Sequence, residues 1–497
     1  MRIIKYFSII VAFLVSFSLT SCEEPLMLEP ETAIDYDLVY VDADGVKLAL
    51  DGAWSIVAGP SSFAGTTTVF SELLGANGTT RIAWTGTFTG YRDVFRKAMD
   101  KNDGAIASKW IASYRGINII NNVLANLNNV SADVNNAERR RVEGEARFIR
   151  GILYFKLVEF FALPWVPATP NAQLGVPILL EPVQTYEDIV FPARATVAQV
   201  YARIEADLLA ARTLLAPGRA GANRGLATST NTSAFLVRMF MAQHRWAEAA
   251  AEATIVINQF GPNALNVTPR GAFNNPGYTS EDVFMIRQNL HSHAGSANSG
   301  IGTFFASMPG FGRGDIRALG AHMTQFQPGD LRGSIEDNPL ARVINEISAM
   351  HYWGHGTGGR QRRTTKWGRF DTFVNVIRLA EMHLSRAEAN FMIGPTSAIG
   401  DTPLNDLNLI RRRASAPAIA APEDITMAVI QGDRYRELCF EGHALQDMRR
   451  WRGSVNTPSG SPWGTGVAIH WNDNRLVFPI PQREIDVNPQ LVQNPGY

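Results

Sequence analysis

This sequence predicts a mainly α-helical fold, an irregular superhelix of helical hairpins with few short strands and one long loop-rich face. Three observations predict it. Apolar residues recur at intervals of three and four along several stretches, the period of a helix with one buried face. Residues 231–258, NTSAFLVRMFMAQHRWAEAAAEATIVIN, hold two such stretches with Ala-rich surfaces and a break near Gln243-His244. Between about 261 and 366 that period dissolves into Gly, Asn, Ser, His and aromatic residues, as in GIGTFFASMPGFGRGD, a length that in a folded chain is uncommon unless it carries function or has short elements of its own.

The elements follow in chain order. Met1–Lys5 holds two positive charges, residues 6–19 hold none, and Leu19-Thr20-Ser21-Cys22 closes the segment. That layout is an export signal over residues 1–21, and its end resembles a bacterial lipobox, which makes Cys22 the lipidated first residue of the mature chain. Each methylene buried in lipid contributes about 0.8 kcal/mol, so several acyl chains hold a protein on a membrane without a spanning helix. Residues 22–45, acidic and proline-bearing, read as a tether, and 46–497 as one body in three parts, 46–260, 261–366 and 367–497. Tyr114, Ile117, Asn121, Leu124 and Leu127 mark the face of one helix. Val142, Ala146, Ile149, Leu153, Leu157 and Phe160 mark the next, stopped before Pro164. Val197, Val200, Ile204, Leu208 and Ala211 follow, with Thr196 as the cap. The 231–258 pair resembles a tetratricopeptide hairpin, although no strict 34-residue period recurs. Helices resume with Ile377, Ala380, Leu384 and Ala387, then with Tyr435, Leu438, Leu445, Met448 and Trp451, before an extended proline-rich tail.

Charge excludes some partners. Forty-six basic residues balance 46 acidic ones, and removing residues 1–21 leaves 44 against 46, which gives no electrostatic reason to expect nucleic acid. Phosphate loops, His-Glu-x-x-His and the nucleophile elbow are absent. Gly354–Gly359, GHGTGG, fits GxGxxG, but RQRRTTKW follows where a dinucleotide site needs an apolar helix. His291 with His293, and His351 with His355, read as loop histidines, because zinc needs three or four converging ligands. No metal and no cofactor is expected. Residues 433–451, DRYRELCFEGHALQDMRRW, place Glu437 and Glu441 one helical turn apart among Arg434, Arg436, Arg449 and Arg450. Carboxylates so surrounded stay ionised, so Arg434, Arg436, Glu437 and Glu441, with Arg378 and Glu381, are expected to form a structural ion-pair network and no catalytic pair. Cys439, on the same helix, reads as an inert buried thiol.

That stretch also resembles the C-terminal signature of the SusD/RagB family of outer-membrane nutrient-uptake lipoproteins, R-x-R-E-L-x-F-E-G-x-x-x-x-D-x-x-R-W, at Arg434–Trp451. NVIRLAEMHLSRAEAN, NLIRRRA, GEARFIRGILYFKLVEFFALPWVP, LGVPILLEPV and the closing PIPQREIDVNPQLVQNPGY occupy matching places; His443 stands where the family commonly has arginine. The resemblance implies a tetratricopeptide-like frame with a loop-rich ligand face. It also implies a lipoprotein on the outer face of the outer membrane, which captures an oligosaccharide, or in some members a peptide, and hands it to a TonB-dependent, SusC-like barrel. Sugars offer flat apolar faces ringed by hydroxyls, so flat aromatics with polar neighbours bind them without any reacting group. The candidate ligand residues are Trp84, Tyr91, Arg92, Phe304, Phe305, Tyr352 and Trp353, with Trp84 and Trp353 foremost. The rival from another class is a lipid-anchored glycoside hydrolase, which needs two carboxylates roughly 5–9.5 Å apart across a cleft.

Overall fold

A computed structural model describes residues 39–78, 81–218, 226–354 and 360–497; Cys22, the export signal and His355 lie outside the described residues. Helices α1 (Ala43–Val57), α2 (Thr66–Gly75), α3 (Thr89–Arg96), α4 (Gly104–Ala125), α5 (Ala137–Phe161), α6 (Val197–Leu214), α7 (Ser229–Gln243) and α8 (Trp246–Phe260) build the N-terminal half. Helices α1, α4, α5, α6 and α7 each start where a side chain satisfies free N–H groups. Asn136 accepts from Glu138 and Arg139 ahead of α5, and Thr196 with Gln199 forms a reciprocal capping box ahead of α6. The predicted hairpin is α7–α8, turned by His244 in the left-handed conformation at φ 59°. α5 packs between α4 and α6, and α8 lies on α9 (Leu379–Ile393). Buried Ala249, Ala250 and Ala253 on α8 let those two backbones approach closely.

The stretch 261–366 is not structureless. With β1 (Ile82–Trp84), it contributes β3 (Ile316–Ala318), β4 (Ile335–Glu336), β5 (His351–Trp353) and β6 (Arg362–Thr364) to one sheet of order β1-β3-β6-β5-β4. β2 (Asp282–Ile286) pairs separately with β7 (Val374–Arg378), which runs directly into α9. Phe284 of β2 meets Phe148 of α5 and Phe235 of α7, each at 5.5 Å between ring centres, with Trp54 of α1 beside them at 6.3 Å. Those rings fuse the loop-rich stretch to the helical frame, and the buried core runs from Val46 to Leu491.

Two sequence expectations are corrected here. Residues 433–451 are two helices, α11 (Met427–Leu438) and α12 (Ala444–Arg450), following α10 (Pro403–Arg413), so Glu441 stands on the break and not one turn above Glu437. Phe440 at φ 67° and Gly442 at φ 82° make that break. Lys366 Nζ holds it open, donating to the carbonyls of Glu437 and Cys439 at 2.7 and 2.8 Å, groups a continuous helix would have used itself. His351 is no loop histidine: it is buried on β5.

Candidate ligand-binding face

The β1 strand connects two features. At its Trp84 end lies an aromatic cluster. Trp84 stacks on Tyr91 with ring centres 5.6 Å apart, Tyr91 meets Phe304 at 4.9 Å, and Phe88 stands edge-on to Tyr91 at 6.4 Å. Arg313 lies over Phe88 at 4.5 Å and over Phe304 at 5.1 Å, while its Nε donates to Asp315 at 2.9 Å. Trp84 and Phe304 are the buried floor; Phe88, 39% exposed, is the open rim, with half-buried Tyr91 and Arg92 beside it. Burial pushes the Tyr91 phenol up to about 12, so it stays protonated and able to donate.

Ahead of the other end of β1, Arg81 opens onto a cavity of about 620 Å³ between α2, the 321–325 segment, α11, α12 and β8 (Ser454–Asn456). Arg81 lies 4.0 Å over the ring of Tyr435, and Trp451, Gln325, Gln431 and Ser454 complete the mixed aromatic and amide lining. Glu72 is buried in its wall; burial pushes its carboxyl up to about 7 although the Gly442 N–H donates to it at 2.9 Å. Tyr435 leads inward to two buried histidines: its hydroxyl stands 2.7 Å from His322 Nδ1, His322 Nε2 stands 2.9 Å from His351 Nε2, and His351 Nδ1 stands 3.3 Å from the Ser334 carbonyl. Burial drives His351 down to about 4 and His322 well below its ordinary range.

The structure brings Trp84, Tyr91 and Phe304 together, leaves Arg92 paired with Asp93 one residue along α3, and separates the other three candidates from them. Phe305 is buried against Phe440 at 5.9 Å, and Tyr352 is buried with its hydroxyl accepting from the Ser307 N–H at 2.8 Å, so neither offers a face to a ligand. Trp353 is half-buried beneath the guanidiniums of Arg362 and Arg360, at 4.8 and 5.6 Å. Ile82, Ala318, Arg362 and Trp353 form one cross-strand row, so Trp84 and Trp353 share a sheet face about 16 Å apart, three strand spacings across and two residues along. Sequence reasoning missed Arg313, flagged by its place between Gly312 and Gly314, both at positive φ. It also missed Trp463, 49% exposed in the Gly-, Ser- and Pro-rich loop before β9 (Ala468–His470).

The arginines and acids of the signature pair in several groups, linked by Arg332 between Asp433 and Glu437 and by His443 between Arg434 and Glu381. Arg378 donates to Glu281 at 2.6 Å, Glu441 at 2.7 Å and Glu437 at 3.2 Å, and Arg413 reaches Glu281 and Glu437. Burial opposes ionisation of Glu437, but Arg413, Arg378 and Arg332 outweigh it and hold the carboxyl well below the usual range. Arg434 belongs instead with Asp447, Arg436 with Asp433, and Glu381 with Arg238. Among the described residues no three potential metal ligands converge.

Comparison with known proteins adds the decisive observation. The profile of the SusD family matches residues 346–497, and a second profile, described as starch-binding associating with outer membrane, matches residues 64–241. The chain belongs to the SusD family. A SusD-like protein of Formosa agariphila is 23% identical over 99% of this chain and 100% of its own length. The starch-binding protein SusD of Bacteroides thetaiotaomicron is 27% identical over 35% of each chain. Among solved structures, a SusD superfamily protein of Bacteroides thetaiotaomicron superposes with a TM-score of 0.74 at 20% identity, covering 92% of this chain and 100% of that one. The surface glycan-binding protein A of Bacteroides fluxus superposes with a TM-score of 0.69 at 20% identity, covering 91% of this chain and 99% of that one. The helical frame is therefore the SusD fold, and the aromatic rim and the cavity are features of this SusD-family chain.

Proposed function

We propose that this chain is a cell-surface lipoprotein that binds an oligosaccharide without cleaving it and delivers it to a TonB-dependent, SusC-like barrel in the outer membrane. The observation that carries the reading is the exposed Phe88 ring on a stacked Trp84–Tyr91–Phe304 floor with a guanidinium alongside, next to a 620 Å³ cavity lined by aromatic and amide groups. Such a surface complements the flat face and hydroxyl edge of a sugar ring. The anchor is lipid on Cys22, and no helix among the described residues is long and apolar enough to cross a membrane. An exposed apolar strip supplies a docking face for the barrel: Tyr186, Ile189, Val190 and Phe191, joined by Val487 and Val492. Asn488 and Arg194 tie its two segments together through Pro192 and Val492. Tethering beside the pore raises effective concentration, so modest affinity suffices. Glu72 and Asp447 both line the cavity, but Arg434 and Arg450 hold Asp447 at 2.8 Å each, leaving it no lone charge to offer as a nucleophile or base.

Titration calorimetry against a panel of oligosaccharides tests the reading. One glycan class is expected to bind, and Phe88→Ala is expected to weaken it by about 1–2 kcal/mol, roughly 5- to 30-fold. Silence across every glycan with binding of peptides transfers the site to the peptide class, and release of cleaved product makes the chain a hydrolase.

A further inference from the structure

Arg317 of β3 and Arg363 of β6 stand directly opposite one another. Ala83 pairs with Arg317, Ala318 with Arg362 and Tyr352 with Arg363, which aligns Ala83, Arg317, Arg363 and Tyr352 in one cross-strand row with side chains on one face. Like charges at opposed positions destabilise a sheet. Here no carboxylate relieves them: among the described residues neither arginine has an acidic partner. Asp315, the nearest acid to act on Arg363, is already bound by Arg313.

The pair is also short of hydrogen-bond acceptors. Arg363 is 6% exposed; its Nη1 donates to the Ile316 carbonyl at 2.8 Å and its Nη2 to Gln361 Oε1 at 2.7 Å, but its Nε is buried with no acceptor among the described residues. Arg317 is half-buried and makes no hydrogen bond among the described residues, its Nε buried and unpartnered as well. Burial and Arg317 together push the Arg363 guanidinium down to about 10. Two glycines make the room: a Cβ on Gly314 would stand 3.0 Å from Arg363 Cζ, and one on Gly354 would stand 3.0 Å from its Cγ. Two buried Nε donors without acceptors among the described residues, on one face, together with the remaining N–H groups of Arg317, suit a planar or tetrahedral oxyanion as acceptor.

We propose that Arg317 and Arg363 form a binding site for an oxyanion carried by the ligand, a carboxylate or a sulfate ester. Resting on the reading of this face as glycan-binding, the inference makes the captured glycan an acidic one. Arg313, which lies over the Phe88 rim, is four residues ahead of Arg317, at most about 14 Å along extended chain. The pair lies on the sheet face opposite Trp84, so a ligand that engages both the Phe88 rim and the pair has to pass around the Arg313 end of β3.

The test uses the mature chain and its Arg317→Gln and Arg317→Lys variants. Melting is followed in sodium sulfate against sodium chloride at matched ionic strength, and calorimetry compares neutral, uronate-bearing and sulfated oligosaccharides of one backbone. Sulfate is expected to raise the melting temperature of the parent, to lose that effect in Arg317→Gln, and to regain most of it in Arg317→Lys. Without sulfate, Arg317→Gln is expected to melt no lower than the parent, because it removes a repulsion. The acidic oligosaccharide is expected to bind about tenfold or more tightly than the neutral one, an advantage lost in Arg317→Gln. The uronate arm or the sulfated arm identifies the anion. Neutral and acidic glycans bound alike by parent and variant overturn the proposal while leaving glycan capture standing. A sulfate response unchanged in Arg317→Gln also overturns it, as the sign of an adventitious ion only. A sulfate shift that depends on Arg317, with no glycan bound at all, supports the anion site and defeats glycan capture instead.

Discussion

Burial holds the Glu72 carboxyl at about 7, above its ordinary 4.5. Folding thus favours its protonated form. The stability this gives is fully present below about pH 4.5 and is lost as pH rises to about 7, beyond which the buried charge costs up to about 3 kcal/mol. Glu72→Gln keeps the group neutral at every pH. Its melting temperature is expected to exceed the parent's at pH 8 and to match it near pH 5; a gap that ignores pH would refute the assignment. At this scale the sequence was legible in part. Composition marked Trp84, Tyr91 and Phe304 as aromatic residues in irregular chain, and they do converge. It marked Phe305 and Tyr352 equally, yet one residue of rotation on a single helical turn sends Phe305 to Phe440 and Phe304 to Tyr91. No periodicity exists in such a stretch to say which neighbour faces the core.

The α2–α12 crossing illustrates how elements are locked. A Cβ on Gly75 would stand 2.1 Å from Leu445 N and 2.2 Å from Ala444 C, so the end of α2 touches the backbone that begins α12. Ser71 Oγ accepts from the Leu445 N–H at 3.2 Å, and Glu72 accepts from Gly442, so α2 satisfies the free donors at and before the start of α12. Gly75→Ala gains about 0.5–1 kcal/mol of helix propensity. It meets immovable backbone at the same time, a conflict of about 1–3 kcal/mol or more, so the clash wins. Thermal unfolding is expected to show a net loss, and because Gly75 and Ala444 both line the cavity, ligand affinity should fall with it. An unchanged melting temperature would mean the crossing is looser than drawn. Helices of this kind were readable from their 3.6-residue period and their caps. The break at Cys439–His443 was not, because Leu438, Phe440 and Leu445 continue an apolar pattern through it and the agent of the break, Lys366, lies some seventy residues earlier.

At the scale of the whole molecule, Arg378 is the point where distant segments meet, binding Glu281 from the loop-rich stretch and Glu437 and Glu441 from the C-terminal signature. All four side chains are buried. Arg378→Gln leaves several carboxylates without their countercharge, and unfolding is expected to become easier by about 3–5 kcal/mol; a loss below about 1 kcal/mol would show that Arg413 and Lys366 suffice alone. The acids and arginines of the signature announced such pairing, but Glu281 and Arg413 could not be named, since sequence separation hides who meets whom. A second long-range link has a direction. The Ser334 carbonyl can only accept, so neutral His351 carries its hydrogen on Nδ1 and leaves Nε2 bare. His322 must then give its own Nε2 hydrogen to His351, and Nδ1 is left to take the hydrogen of Tyr435. The phenol is thereby spent on the inside of the protein and shows the cavity lone pairs alone. Whatever settles against Tyr435 shares that oxygen with the Arg81 guanidinium, which already donates to it, and has to bring its own hydrogen, as a sugar hydroxyl does and a bare carboxylate cannot.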